Sequence, residues 1–316
     1  MQNDVRKFQL GIAVIKQQKI TRRGEKIMKK RIASVLLAGV LTVGALTGCG
    51  ATQESGANTA EAADGATTVK IGVVGSVYEE LWAPAKEALA ADGINLEIVQ
   101  FSDYNTPNNA LNSGEIDLNA FQHQIFLQSD VEANGYEVET IGYTFIIPLN
   151  VYSNKVTSIE EIGDGDTIAI PNDVTNGGRA IKVLEAAGLI TLKEDAQFSP
   201  TLDDIETYNV DITIQELQAN TIPSVLDDVT AAVVNGNYAL DFGLKTEEAI
   251  FQDTSVNEQE YWNIIVARSA DLEDAAKVET YQKVIDAFQS EATQQVFDDS
   301  FGGYFISVGW DEELLK

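Results

Sequence analysis

Between Val69 and Asn235, short apolar runs alternate with segments of helix length, and that alternation restricts the fold more than any other property of the chain. The runs are VKIGVVG (69–75), INLEIVQ (94–100), DTIAI (166–170), DITIQEL (211–217) and TAAVVN (230–235). Several are apolar at successive rather than alternate positions, which is the pattern of strands covered on both faces. Between the first two, 78–91 places Leu81, Trp82, Ala85 and Leu89 on one helical face. The expected fold class is therefore α/β, with mostly parallel sheets flanked by helices. Two stretches break the rhythm: TFIIPLNVYS (144–153), with Pro148 in its middle, and EYWNIIVARS (260–269). Read as two long strands that cross between lobes and act as a hinge, they divide the chain into lobe 1, residues 68–148 plus 260–316, and lobe 2, residues 149–259. A final helix from Ala275 to about Phe297 returns onto lobe 1. Ligands in such folds sit at the carboxyl ends of the strands.

The first 67 residues belong to a different regime. MKKRIASVLLAGVLTVGALTGC (28–49) has a basic start, then an apolar stretch from Ile32 to Thr47, then the only cysteine of the chain. That stretch is shorter than the ~20 residues of a membrane-spanning helix and reads as an export signal over 1–48. Leu46-Thr47-Gly48-Cys49 resembles a bacterial lipobox, which makes Cys49 the expected lipidation site and leaves no thiol for a disulfide or for catalysis. Residues 49–67 are small and polar without periodicity, as in a flexible tether. The start codon is Met1 or Met28. Residues 1–48 carry ten basic and two acidic side chains, so of the 21 and 49 in the whole chain 11 and 47 follow, a strongly acidic mature protein. A field of that sign repels phosphate backbones and disfavours nucleic-acid binding.

Few residues could carry chemistry. PNDVTNGGRA (171–180) sets Arg179, one of few cations, two glycines into a helix start, where Thr175 or Asn176 is the expected N-cap and Gly177 and Gly178 leave first-turn N–H groups open to an anion. Its guanidinium matches a carboxylate; pairing with a surface acid is the plain alternative, and on sequence alone its removal leaves the fold intact. His123, the single histidine, lies between Phe121 and Phe126, either packed or touching a ligand. One histidine with a lipidated cysteine makes no zinc site, and no metal or cofactor is expected. A hydrolase built on His123 lacks a G-x-S-x-G elbow. Asn235 ends an apolar strand, and Asn263 interrupts another, serving backbone or ligand. GDGD (163–166) has no glutamate at calcium-loop spacing and reads as a turn.

Collinear stretches from KIGVVG through FSDYNTPNNAL, DLNAFQH, PNDVTNGGRA, LDDVTAAVVNGNYA and YWNIIVAR resemble the NlpA/MetQ family of methionine-binding lipoproteins that serve ABC importers. The resemblance implies a two-lobed periplasmic-binding-protein-like fold (type II), no enzymatic activity, and delivery of L-methionine, D-methionine, a methionine dipeptide or a close amino acid to a permease and its ATPase. It implies a monomer anchored by lipid at the extracytoplasmic face of the cell membrane. It also implies that Arg179 binds the ligand carboxylate, that Asn235 and Asn263 are ligand asparagines, and that Tyr104, Phe121 and His123 form the side-chain pocket. Phe126 stands where many relatives have a tyrosine. A surface hydrolase and a non-transport adhesin are the competing readings.

Overall fold

The computed structural model describes residues 67–315; the predicted export signal, Cys49 and all but the last residue of the predicted tether lie outside that range. β1 (Thr67–Val74) leads into α1 (Val77–Leu81), α2 (Ala83–Ala91), β2 (Ile94–Phe101), α3 (Pro107–Ser113), the short β3 (Leu118–Asn119), α4 (Gln124–Asn134) and β4 (Val138–Tyr143). β5 (Phe145–Ile146) and β6 (Leu149–Tyr152) carry the chain to a second sheet, which adds β7 (Thr167–Pro171), α5 (Val174–Ala186), the hairpin of β8 (Ile190–Leu192) and β9 (Ile205–Tyr208), β10 (Thr213–Leu217), β11 (Ala231–Asn235) and α6 (Gly236–Phe242). The chain then returns through β12 (Ile264–Arg268) to α7 (Ala275–Phe288), α8 (Glu291–Phe301) and β13 (Ile306–Ser307).

The first sheet has the order β2-β1-β3-β12-β4 and the second β10-β7-β11-β6. β1 pairs in parallel with β2 and β3, and β7 with β10 and β11. The strands that come from the other sheet, β12 and β6, join antiparallel because they enter from the cleft end. Each lobe is thus an α/β layer with a parallel centre, and the carboxyl ends of β1, β3, β7 and β11 point at the same cleft.

Burial follows the apolar runs. Ile71, Trp82, Leu96, Phe145 and Phe288 form the core of the first lobe, and Ile168, Ile170, Ile181, Leu184 and Val233 that of the second. A third cluster, with Val74 and Phe121 against Tyr152, Val234 and Tyr238, joins the two sheets along the cleft. Side chains of α6 also cross it: Asn237 Nδ2 donates to the Val74 carbonyl at 3.0 Å, and the Asp241 carboxylate accepts from the Ser76 and Val77 N–H groups.

Several predicted elements are interrupted for identifiable reasons. The helix expected over 78–91 breaks at Trp82, where Pro84 lies in the first turn of a new helix that it cannot extend backward, and Trp82 turns inward against Phe288. The last helix, expected to run to Phe297, ends at Phe288; Ser290 then caps α8, its Oγ accepting from Thr293 N. Pro148 splits the 144–153 crossing into two strands, and Asn263 precedes β12 rather than interrupting it. At 163–166 the chain turns, with Gly165 at φ +88° and the Asp166 carboxylate accepting from Gly163 N.

Candidate functional site

A pocket with about 420 Å³ of space free of protein atoms, its mouth included, lies where the strand ends of the two sheets face each other. All seven non-lipid site residues expected from the sequence line it: Tyr104, Phe121, His123, Phe126, Arg179, Asn235 and Asn263. β3 ends just before Phe121, α4 begins just after His123, α5 carries Arg179, and β11 ends on Asn235. One end of the pocket is aromatic. The rings of Tyr104 and Phe121 stack with centroids 6.0 Å apart, and Phe126 stands edge-on to Phe121 at 6.0 Å. Tyr104 is held by a hydrogen bond from its hydroxyl to Asn237 Oδ1, and burial pushes its phenol well above the usual range.

The other end is polar and differs from the sequence reading in three ways. First, neither Thr175 nor Asn176 caps α5. Asp173 does, in extended conformation, its Oδ1 accepting from Asn176 N at 2.9 Å, so the expected pair falls inside the first turn. Second, no anion cradle forms at that helix start, because the Asp173 carboxylate fills it. The glycines serve close packing instead: a Cβ on Gly177 would lie 2.8 Å from the Pro171 carbonyl oxygen, and one on Gly178 would lie 2.8 Å from Ser199 Cα. Third, Arg179 pairs with an acid that is buried rather than at the surface. The arginine is 2% exposed; its Nη2 meets Asp253 Oδ2 at 2.5 Å and the Ile147 carbonyl at 3.2 Å, and its Nε donates to Ser255 Oγ at 3.1 Å. The Tyr261 ring covers the guanidinium, with Cζ 4.4 Å from its centroid. Among the described residues Nη1 makes no protein hydrogen bond, so that nitrogen is the part of the fork left for the pocket.

Asp253 is built into this arrangement. It is buried, and its Oδ2 accepts from Leu149 N at 3.0 Å while Oδ1 accepts from Ser255 N at 2.8 Å and Ser255 Oγ at 2.6 Å. Removing either partner of a buried ion pair leaves an uncompensated charge. The pair therefore holds the crossing segment at Leu149, the loop before β12 and helix α5 to one another.

His123 caps α4 with its ring: Nδ1 accepts from Phe126 N at 3.2 Å. The proton consequently sits on Nε2, which lies 3.3 Å from Asn176 Oδ1. Burial, and then the charge of Arg179, lower its pKa to about 3. The ring is neutral near pH 7 with both nitrogens engaged, which removes it as a general base for hydrolysis. Asn235 Nδ2 donates to the same Asn176 oxygen at 2.8 Å, while Asn235 Oδ1 is buried without a partner among the described residues. Asn263 is buried in the pocket wall; its backbone pairs with Phe145 and Thr144, and among the described residues its side chain makes no protein hydrogen bond. The sequence reading missed Asp173, Asn237, Asp253 and Ser255, and had Asn176 only as a candidate N-cap. Asp253 is one acid among many, and only its 2.5 Å approach to Arg179 across 74 residues distinguishes it.

The sequence profile of the NlpA lipoprotein family matches residues 69–309. The chain belongs to that family. It is 35% identical over 286 residues to the D-methionine-binding lipoprotein MetQ of Yersinia pestis, an alignment covering 89% of this chain and 98% of that protein. The substrate binding protein of a methionine transporter from Streptococcus pneumoniae superposes with a TM-score of 0.72 at 36% identity, covering 77% of this chain and 96% of that one. A nutrient binding protein from Burkholderia cenocepacia, bound to methionine, superposes at 0.71 with 34% identity, covering 76% and 100% respectively. As an NlpA lipoprotein the chain is a two-lobed substrate-binding protein of the extracytoplasmic, membrane-anchored kind, and not an enzyme. Among the described residues no helix is long and apolar enough to cross a membrane.

Proposed function

We propose that this NlpA lipoprotein captures methionine, or a close apolar amino acid, between its lobes and delivers it to an ABC permease and its ATPase. The observation that carries the reading is a pair of polar atoms, unspent among the described residues, in one aromatic-walled pocket: Arg179 Nη1, a cationic donor, and Asn235 Oδ1, a buried acceptor. A free amino acid carries the complement of both. Its carboxylate takes the arginine nitrogen, and its ammonium takes the Asn235 oxygen and the Asn263 side chain, whose amide is free to turn. The tail then points at Tyr104, Phe121 and Phe126. A buried side chain of that size contributes ~1.5–3 kcal/mol, and thioether–aromatic contacts ~0.3–1.5 kcal/mol each. With the charge-assisted bonds, and less the cost of ordering, the sum supports micromolar or tighter binding.

His123 has no spare nitrogen for the ligand and supplies a neutral wall. Phe126 likewise contributes surface without a hydroxyl. Lobe 1, residues 68–148 with 260–316, and lobe 2, residues 149–259, close over the amino acid. The bonds of α6 to Val74 and Ser76 support the closed arrangement. Lipidated Cys49 and the tether hold the receptor, as a monomer, beside its transporter. Mass spectrometry of small molecules released from the natively extracted protein tests the proposal. Methionine is the expected species, and an unrelated ligand released in stoichiometric amount would replace it.

A further inference from the structure

We infer that Asn176 is a positioning residue for ammonium recognition: anchored by Asp173, it fixes the side-chain amide of Asn235 with its carbonyl oxygen toward the pocket. The inference rests on the reading that the pocket binds an amino acid.

An asparagine amide can turn over with almost no change of shape, so something outside it must decide which end faces a ligand. Asp173 makes that decision. Its oxygens are approached by Asn176 N at 2.9 Å, by Asn176 Nδ2 at 3.0 and 3.2 Å, and by Thr175 Oγ1 at 3.1 Å. All are donors, which is the pattern of a carboxylate that only accepts. The Asn176 NH2 is therefore committed to Asp173, and its Oδ1 faces the other way. There it accepts twice, from Asn235 Nδ2 at 2.8 Å and from His123 Nε2 at 3.3 Å.

The histidine gives an independent check. Because Nδ1 already accepts from Phe126 N, Nε2 must carry the proton, and the atom it meets has to be an oxygen. With its NH2 spent on Asn176, Asn235 can present only Oδ1 to the cleft, and that oxygen is the buried acceptor without a partner. Turned over, Asn235 would face Asn176 oxygen to oxygen and offer the ligand a donor, which an ammonium cannot use. The members of the relay are buried, Asn176 at 3%, His123 at 6% and Asn235 at 8% exposed, so each wrong orientation is costly. Asn263, whose side chain makes no hydrogen bond among the described residues, can turn to suit whatever is bound, and discrimination between an ammonium and its absence falls to Asn235.

The test compares methionine with 4-(methylthio)butanoate, which keeps the carboxylate and the thioether and lacks the ammonium, by isothermal titration. Asn176→Ala is expected to weaken methionine binding 10- to 100-fold, the range of a charge-assisted hydrogen bond, and analogue binding less than about threefold. Asp173→Asn is close in shape and retains an oxygen to cap α5, yet it no longer forces the Asn176 amide, so the preference for methionine should fall in the same direction by about three- to tenfold. In an Asn235→Ala background, Asn176→Ala should leave the preference unchanged. Equal losses for both ligands, or unaltered methionine binding, would overturn the inference; if Asn176→Ala does not fold, Asp173→Asn decides. Failure of the wild-type protein to bind methionine at all would sink the underlying reading instead.

Discussion

Arg179→Ala should damage both binding and folding, and the two effects can be separated. In the wild-type protein the guanidinium neutralises Asp253, which is buried and 2.5 Å away. Deleting one partner of such a pair costs ~3–5 kcal/mol. The three protein hydrogen bonds that remain on Asp253, from Leu149 N, Ser255 N and Ser255 Oγ, put the expected loss near the lower end, about 3 kcal/mol. For a domain of this size that lowers the melting temperature of ligand-free protein by roughly 6–12 °C. Adding Asp253→Asn removes the stranded charge. The amide can turn its oxygen to Ser255 N but leaves Leu149 N without an acceptor, a residual penalty of ~1–3 kcal/mol, so recovery is partial. Binding does not recover, because the carboxylate partner is still missing. Arg179→Lys supplies the converse, since a single ammonium can keep Asp253 company but cannot also reproduce the fork, so the fold persists while affinity drops at least tenfold. Differential scanning calorimetry of the ligand-free variants together with methionine titrations reads both axes. Arg179→Ala protein that melts within about 2 °C of wild type would refute the argument that the pair is a structural tie.

Phe121→Ala should weaken methionine binding about ten- to a hundredfold through loss of the stacked wall, less than Arg179→Ala, as measured by titration. Asp241→Ala removes a carboxylate that accepts from Ser76 and Val77 across the cleft without touching the pocket; a loss of ~1 kcal/mol, seen as a roughly fivefold faster methionine release in stopped flow, is expected. Because His123 titrates at about 3 when folded and 6.5 otherwise, the unfolded chain alone takes up its proton between those values. Stability should therefore fall as pH drops below 6.5, by at most ~1.4 kcal/mol per pH unit from this group, and the fall should be shallower in His123→Gln under urea denaturation. Methionine affinity should stay flat from pH 6 to 8.

What could be read from the chain, and what could not, divides by the distance over which the information is written. The apolar runs at 69–75, 166–170 and 230–235 became β1, β7 and β11 because strand burial on both faces is a local pattern. The aromatic end of the pocket was legible for the same reason, since Phe121, His123 and Phe126 share six residues around one strand-to-helix turn. Gly177 and Gly178 were misread as an opening for an anion, because the atoms that exclude a Cβ, the Pro171 carbonyl and the Ser199 backbone, reach the site only in three dimensions. The partnership of Arg179 with Asp253 is a tertiary fact of the same kind, as is the role of Asn176, whose importance lies in the donors and acceptors that converge on it. The breaks at Trp82 and at Gln289 did have local signals, in Pro84 and Ser290, which helical periodicity outweighed in the sequence reading.

The central claim is a single pose: carboxylate on Arg179, ammonium on Asn235, thioether among the rings. A crystal structure of the mature protein grown with methionine tests it most directly. The account predicts a carboxylate oxygen at about 2.7–2.9 Å from Arg179 Nη1 and the ammonium at hydrogen-bond distance from Asn235 Oδ1. A ligand seated the other way round, with its carboxylate among Tyr104, Phe121 and Phe126, or methionine bound outside this pocket, would contradict it.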